Sequence, residues 1–147
     1  RFANIVGARG THGVIFDFIH KLRADPSRLE VLGNGRQAKS YMEVRDCAMA
    51  MIHLVTNTDD AINYYNLGSD DTCSVSRIAE IVIEESGLSG VSIEYTGGDR
   101  GWAGDVPKAM LDPSRMRAAG FDTKYDSEGA VRYTAQILMK EIGIDDE

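Results

Sequence analysis

Short runs whose apolar residues alternate are interleaved along this chain with longer runs whose apolar residues recur every three to four positions. That interleaving limits the available folds more than any other feature. Residues 2–6 read as a short strand, and after a glycine-rich turn Val14, Ile15, Phe18, Ile19 and Leu22 fall at helical spacing over residues 13–24. Asp25-Pro26-Ser27 stops that helix, because proline disfavours helical geometry in the residue before it. Residues 29–32 alternate like a strand and Gly33-Asn34-Gly35 turns the chain. Residues 39–44 alternate again around Tyr41, and Asp46 reads as the N-cap of a helix over 47–56.

The second half repeats the scheme. A strand is expected over 63–67, ending at Gly68, and Ser74 caps a helix that runs to Gly87 with Ile78, Ile81 and Val82 inward. A strand over 91–95 leads into a loop containing Gly97-Gly98 and Gly101-Trp102, then a short strand over 109–111. Asp112-Pro113-Ser114 starts a helix ending at Gly120, and a last helix over 127–142 buries Val131, Thr134, Ile137 and Leu138. Strands alternating with about five helices define an α/β chain.

Composition adds exclusions. The 147 residues, 43% hydrophobic and 27% charged, suit one globular unit. No apolar run approaches the roughly 18 residues of a membrane span and no signal peptide opens the chain, so no membrane role is expected. Two cysteines, Cys47 and Cys73, are too few for a disulfide scaffold and point to a reducing cytoplasm. A net charge of −7 argues against nucleic acid as a partner. The charge is uneven: residues 1–53 hold eight basic against five acidic side chains, and the remainder eight against eighteen. An anionic ligand is therefore sought in the first third. The chain opens on Arg1 rather than methionine, which we read as a sign of a piece of something longer.

Gly7-Ala8-Arg9-Gly10-Thr11-His12-Gly13 lies between a strand and a helix, where glycines let backbone approach a pyrophosphate. Read alone, Gly7, Gly10 and Gly13 suggest a small NAD-binding unit. Three observations oppose that. The next strand ends in Leu32-Gly33, with no acidic residue for a ribose 2′-hydroxyl. The preceding strand holds Arg1 and Asn4, unlike a fully buried first parallel strand. No tyrosine has a lysine four residues later, so the acid–base pair of short-chain dehydrogenases is missing.

A different pattern runs through nearly the whole chain. Residues 1–9, Arg1-Phe2-Ala3-Asn4-Ile5-Val6-Gly7-Ala8-Arg9, resemble R-Y-x-N-V-Y-G-P-R, and Gly13-Val14-Ile15 with Phe18-Ile19 resembles G-V-I-x-x-F-I. Residues 29–46 resemble L-x-V-x-G-D-G-x-Q-x-R-S-F-x-Y-V-x-D, and Tyr65-Asn66-Leu67-Gly68-Ser69 resembles Y-N-I-G-S. Arg100-Gly101-Trp102-Ala103-Gly104-Asp105-Val106 and Leu111-Asp112-Pro113-Ser114 complete the series. In this order the motifs resemble the C-terminal, substrate-binding part of an extended short-chain dehydrogenase/reductase, in the NAD-dependent NDP-sugar epimerase and dehydratase family. The R-G-W-x-G-D-V form is most similar to the UDP-glucose 4-epimerase group.

The resemblance implies a nucleotide-sugar site between an N-terminal NAD-binding half, which this chain lacks, and residues 1–147. It implies that Asn4 contacts the diphosphate or sugar, Phe2 lies near the nicotinamide, and Val14 and Ile15 approach the nucleotide. Glu30 and Leu32 match strand positions flanking the base. Lys39 and Arg100 match cations that clamp the diphosphate, and Asp105 matches a carboxylate near the ribose. Tyr41 reads equally as ligand-facing and as core. Lys39 stands where arginine is common, so a fork becomes a point charge. Glu43 stands where an aromatic or histidine is usual, and the stretch from Arg100 to Asp105 is two residues longer than R-x-G-D. Trp102 either covers the sugar pocket or packs beneath its loop. His12, His20 and His53 show no metal spacing and read as structural, and both cysteines read as buried thiols.

In such enzymes a tyrosine–lysine pair removes a hydroxyl proton while NAD accepts hydride. This chain has no such pair, so alone it is expected to be inactive. The parent is expected to be a homodimer through helices upstream, and the isolated chain, with open strand edges, to self-associate or swap an element. Two other readings stay open: a stand-alone nucleotide-binding module without chemistry, and the small NAD-binding unit.

Overall fold

The structure, a computed structural model, describes residues 1–59, 61–101 and 103–143. Trp102 lies outside the described residues. The elements run β1 (Asn4–Val6), α1 (Val14–Ala24), β2 (Arg28–Val31), β3 (Ala38–Lys39), β4 (Tyr41–Glu43), α2 (Val44–Thr56) and β5 (Cys73–Ser74). They continue with α3 (Val75–Ser86), β6 (Ser92–Tyr95), β7 (Lys108–Ala109), α4 (Ser114–Ala118) and α5 (Ser127–Ile142). This is the α/β alternation expected, with short strands and five helices among the described residues.

The strands form three small sheets. β1 pairs parallel with β4, Asn4 opposite Tyr41, and β2 pairs parallel with β6. β3 lies between antiparallel β5 and parallel β7. α1 and α3 pack against β2, α5 packs against β4 and β1, and the stripes of the three helices meet in the main core: Phe18, Ile19, Ile78, Ile81, Val82 and Val131 are all but inaccessible. Ser74 caps α3, its Oγ accepting the Arg77 N–H at 3.2 Å, and Gly87 ends it in the left-handed region. Asp126 caps α5 by accepting from Gly129 at 2.7 Å. A smaller cluster of Met42, Cys47, Ala50, Leu54, Leu67 and Met116 joins β4, α2 and α4.

Three local expectations are corrected. Residues 63–67 form no strand; their pairing is limited to the bridge of Leu67 to Phe2, where the Leu67 N–H donates to the Arg1 carbonyl and the Leu67 carbonyl accepts the Ala3 N–H, each at 2.8 Å. Residues 39–44 are two strands broken at Ser40, whose hydroxyl turns inward to the Ser69 carbonyl at 2.9 Å. The break lets β3 pair with β5 and β7 while β4 pairs with β1. The cap of α2 is Glu43, not Asp46: the buried Glu43 carboxylate accepts the N–H groups of Arg45 and Asp46 at 2.8 and 3.3 Å. Asp46 sits inside the first turn and accepts instead from the Lys124 N–H at 2.7 Å.

Candidate functional site

A cleft of about 620 Å³ opens where β1, the turn that follows it, the start of α1, β3 and β4 converge. Its lining is mainly apolar with a few polar groups, as in small-molecule sites generally. The start of α1 supplies Val14 and Ile15. Gly13 is the N-cap of α1 at φ 97° and contributes no side-chain hydrogen bond, so the first amides of this helix have no side-chain cap. A helix start of this kind favours an anion.

Across the cleft, Lys39 Nζ lies 2.6 Å from Asp105 Oδ1. Asp105 Oδ2 accepts the Gly101 N–H at 3.1 Å. Burial works against the charged form of Asp105, but the Lys39 ammonium and the Gly101 N–H outweigh it and hold the carboxyl below its ordinary range. Tyr41 is buried beneath the pair, its phenol pushed above the usual range by burial, with Cys73 and Asp105 adding to the shift. Asn4 lines the cleft and its Nδ2 donates to the Ser40 carbonyl at 3.2 Å, which fixes the side chain against the β3–β4 break.

Asn4, Val14, Ile15, Leu32, Lys39, Tyr41 and Asp105 thus share one cleft. Three other candidates stand outside its lining. Phe2 is 56% exposed at its bridge to Leu67. Glu30 is exposed on β2, with Oε1 3.8 Å from Lys21 Nζ. Arg100 is exposed and its guanidinium donates to the Ala103 carbonyl at 3.3 Å. The two extra residues before Asp105 give this arginine a carbonyl within its own loop to bind.

Gln37 and Arg9 line the cleft and were not singled out from the sequence. Gln37 is buried; its Nε2 donates to the Leu32 carbonyl at 3.3 Å, and its Oε1 has no hydrogen-bond partner among the described residues. The only signal for it was its place in the Q-x-R portion of the long motif. Arg9 holds a positive φ of 60° and its N–H donates to Glu141 Oε2 at 2.8 Å, tying the turn to α5. Neither the strained backbone nor the contact with α5 is written in the local sequence.

The first glycine of the turn does not serve as a dinucleotide cradle. Gly7, at φ 154°, is there because a Cβ would come within 2.6 Å of Val44 Cγ1; its missing side chain makes room for α2 rather than for a pyrophosphate. β2 ends without an acidic residue, and Phe2 is outside the cleft. Among the described residues no group of three histidine, cysteine or acidic side chains could hold a metal, and no helix is long and apolar enough to cross a membrane. His53 is engaged by the Ala119 carbonyl at 2.8 Å and packs on Phe121.

Comparison with known proteins bears directly on this cleft. The NAD dependent epimerase/dehydratase family matches residues 1–68, which include β1, the turn, α1 and both strands around Lys39 and Tyr41. A solved UDP-galactose 4-epimerase is 35% identical, superposes with a TM-score of 0.80, and covers 97% of this chain. The resemblance is to NAD-dependent epimerases and dehydratases. Among such epimerases, a UDP-glucose 4-epimerase from Thermotoga maritima, solved with UDP-glucose, shares the fold at 24% identity and a TM-score of 0.78 over 97% of the chain. GDP-mannose 3,5-epimerase 1 of Oryza sativa subsp. indica is 30% identical over 88 residues, 56% of this chain. The chain spans less than half of these relatives: 45% of each of the two epimerase structures and 23% of the rice epimerase.

Proposed function

We propose that this chain is the nucleotide-sugar-binding part of an NAD-dependent epimerase or dehydratase, of the UDP-glucose 4-epimerase kind, and that the cleft holds the nucleoside diphosphate. The observation that carries this reading is the convergence on one cleft of an uncapped helix start, an ammonium, a carboxylate and Asn4, in a chain 35% identical to a 4-epimerase over nearly its whole length. The helix start and Lys39 suit phosphate oxygens, and Asp105 suits hydroxyl donors. Asn4, held by the Ser40 carbonyl, presents its remaining amide capacity to the ligand.

In this reading NAD and the tyrosine–lysine pair come from polypeptide beyond these 147 residues, the parent is a cytoplasmic homodimer, and the chain alone is inactive. Phe2, Glu30 and Arg100 then act only with that polypeptide or with ligand in place.

Calorimetric titration of the chain with UDP and with NAD tests the proposal. UDP is expected to bind with a Kd on the order of micromolar to millimolar and NAD at least about tenfold more weakly. Tight NAD binding with no UDP binding would favour the small dinucleotide unit instead, and 4-epimerase turnover by the chain alone would refute its inactivity.

A further inference from the structure

The cleft carries its own anion. Asp105 lies against Lys39 at 2.6 Å, with side-chain exposures of 8% and 25%. The other charged side chains in its lining are Arg9 and Asp17, and Asp17 already sits 3.0 Å from Lys21. In a cleft proposed to take a diphosphate, Lys39 is therefore already paired with a carboxylate. A carboxylate so far from water is not displaced freely. An anion that takes Lys39 leaves Asp105 buried with only the backbone N–H groups of Gly101 and Val106 and no cation beside it, and a charge left without its counterion is costly.

We propose that Asp105 is a built-in competitor for the anion subsite at Lys39, making the cleft reject simple anions. The ligand it accepts carries an anionic group for Lys39 and, on the same molecule, hydroxyl donors that satisfy Asp105 when Lys39 is withdrawn. A phosphoester of a sugar or nucleoside has both; inorganic pyrophosphate has only the first. The competition itself follows from the ion pair, while the hydroxyl-bearing ligand rests on the nucleotide reading above.

The test compares the wild-type chain with Asp105→Asn, titrated with inorganic pyrophosphate and with UDP at low salt. Asparagine keeps the volume and can still accept from Gly101, but removes the charge. Pyrophosphate is expected to bind Asp105→Asn about tenfold more tightly than wild type, and the preference for UDP over pyrophosphate to shrink by a similar factor. Asp17→Asn, which removes a carboxylate lining the same cleft, is expected to change pyrophosphate affinity by less than about twofold. An unchanged pyrophosphate affinity in Asp105→Asn, or none detectable in either protein, overturns the competitor. Pyrophosphate binding that tightens while UDP binds neither protein overturns the nucleotide reading and leaves the competitor standing. If thermal melting shows Asp105→Asn unfolded, Asp105→Ser carries the same comparison.

Discussion

Two regions of this molecule bury their apolar residues in different ways. The helices α1, α3 and α5 close on one another, and Phe18, Ile81 and Val131 see no water to speak of. Around β1 the closure is one-sided. α2 turns Cys47, Ala50 and Leu54 inward, but Val44, Ala48, Met51, Ile52 and Val55, spaced along an adjacent face, stay exposed, Val55 by 78%. A helix apolar on two sides is a helix built to be sandwiched. The first region closes on itself; the second leaves an apolar helix face uncovered.

The sharpest way to break this contrast is a pair of truncations read by urea unfolding. Phe18→Ala, in the closed core, is expected to cost about 3–5 kcal/mol. Ile52→Ala, on the open face, is expected to stay within about 0.5 kcal/mol. Similar losses at the two sites would mean that the exposed face is covered in solution. Self-association measures that cover directly. The chain is expected to form larger species as concentration rises, and Met51→Lys with Val55→Lys to weaken this by about a hundredfold in light scattering without lowering the unfolding midpoint. A wild-type chain that stays monomeric throughout would show the open face tolerated by water.

The same division explains how much could be read from the sequence. In the closed region the signals are local. The apolar spacing of α3 and α5, the Ser74 cap and the left-handed Gly87 all lie within a few residues of what they determine, and those helices fall where expected. Around β1 and β4 the decisive partners are far away in sequence. The break at Ser40 depends on Ser69 and, through its hydroxyl, on Ser127, 2.7 Å away. The cap at Glu43 was missed because glutamate is an unusual N-cap, so the nearby Asp46 looked the better candidate. At the cleft, motif order pointed to Asn4, Lys39 and Asp105, which line it together. It could not reveal that the last two bind each other, since they are 66 residues apart.

The Glu43 cap offers a smaller test within the open region. Glu43→Ala removes the carboxylate that accepts from Arg45 and Asp46, and is expected to cost about 1 kcal/mol. Asp46→Ala loses only the exposed contact to the Lys124 N–H and is expected to cost less. The reverse order in thermal melts would restore Asp46 as the cap.

The smallest effect belongs to the surface of the closed region, where α3 and α5 are tied by charge. Arg77 meets Glu80, Glu84 and Glu128 at 2.6–2.9 Å, and Arg132 meets Glu84 at 2.7 Å and also Glu85. The Arg132 guanidinium, with Arg77, holds the Glu84 carboxyl below its ordinary range, and Arg77 does the same for Glu128. In the unfolded chain these carboxyls regain their ordinary affinity for protons, so the unfolded state binds more protons in acid. The stabilisation is therefore full above the usual glutamate range and is lost as pH falls through the lowered folded values. Because these groups face water, the effect is modest and salt weakens it. Tm is expected to fall between about pH 6 and about pH 3.5, more at low salt than at high. Arg132→Gln is expected to flatten part of that fall, whereas Arg45→Gln, at the start of α2, should leave it unchanged. If both variants flatten the curve equally, the acid sensitivity belongs to the whole chain's charge and not to the α3–α5 clamp.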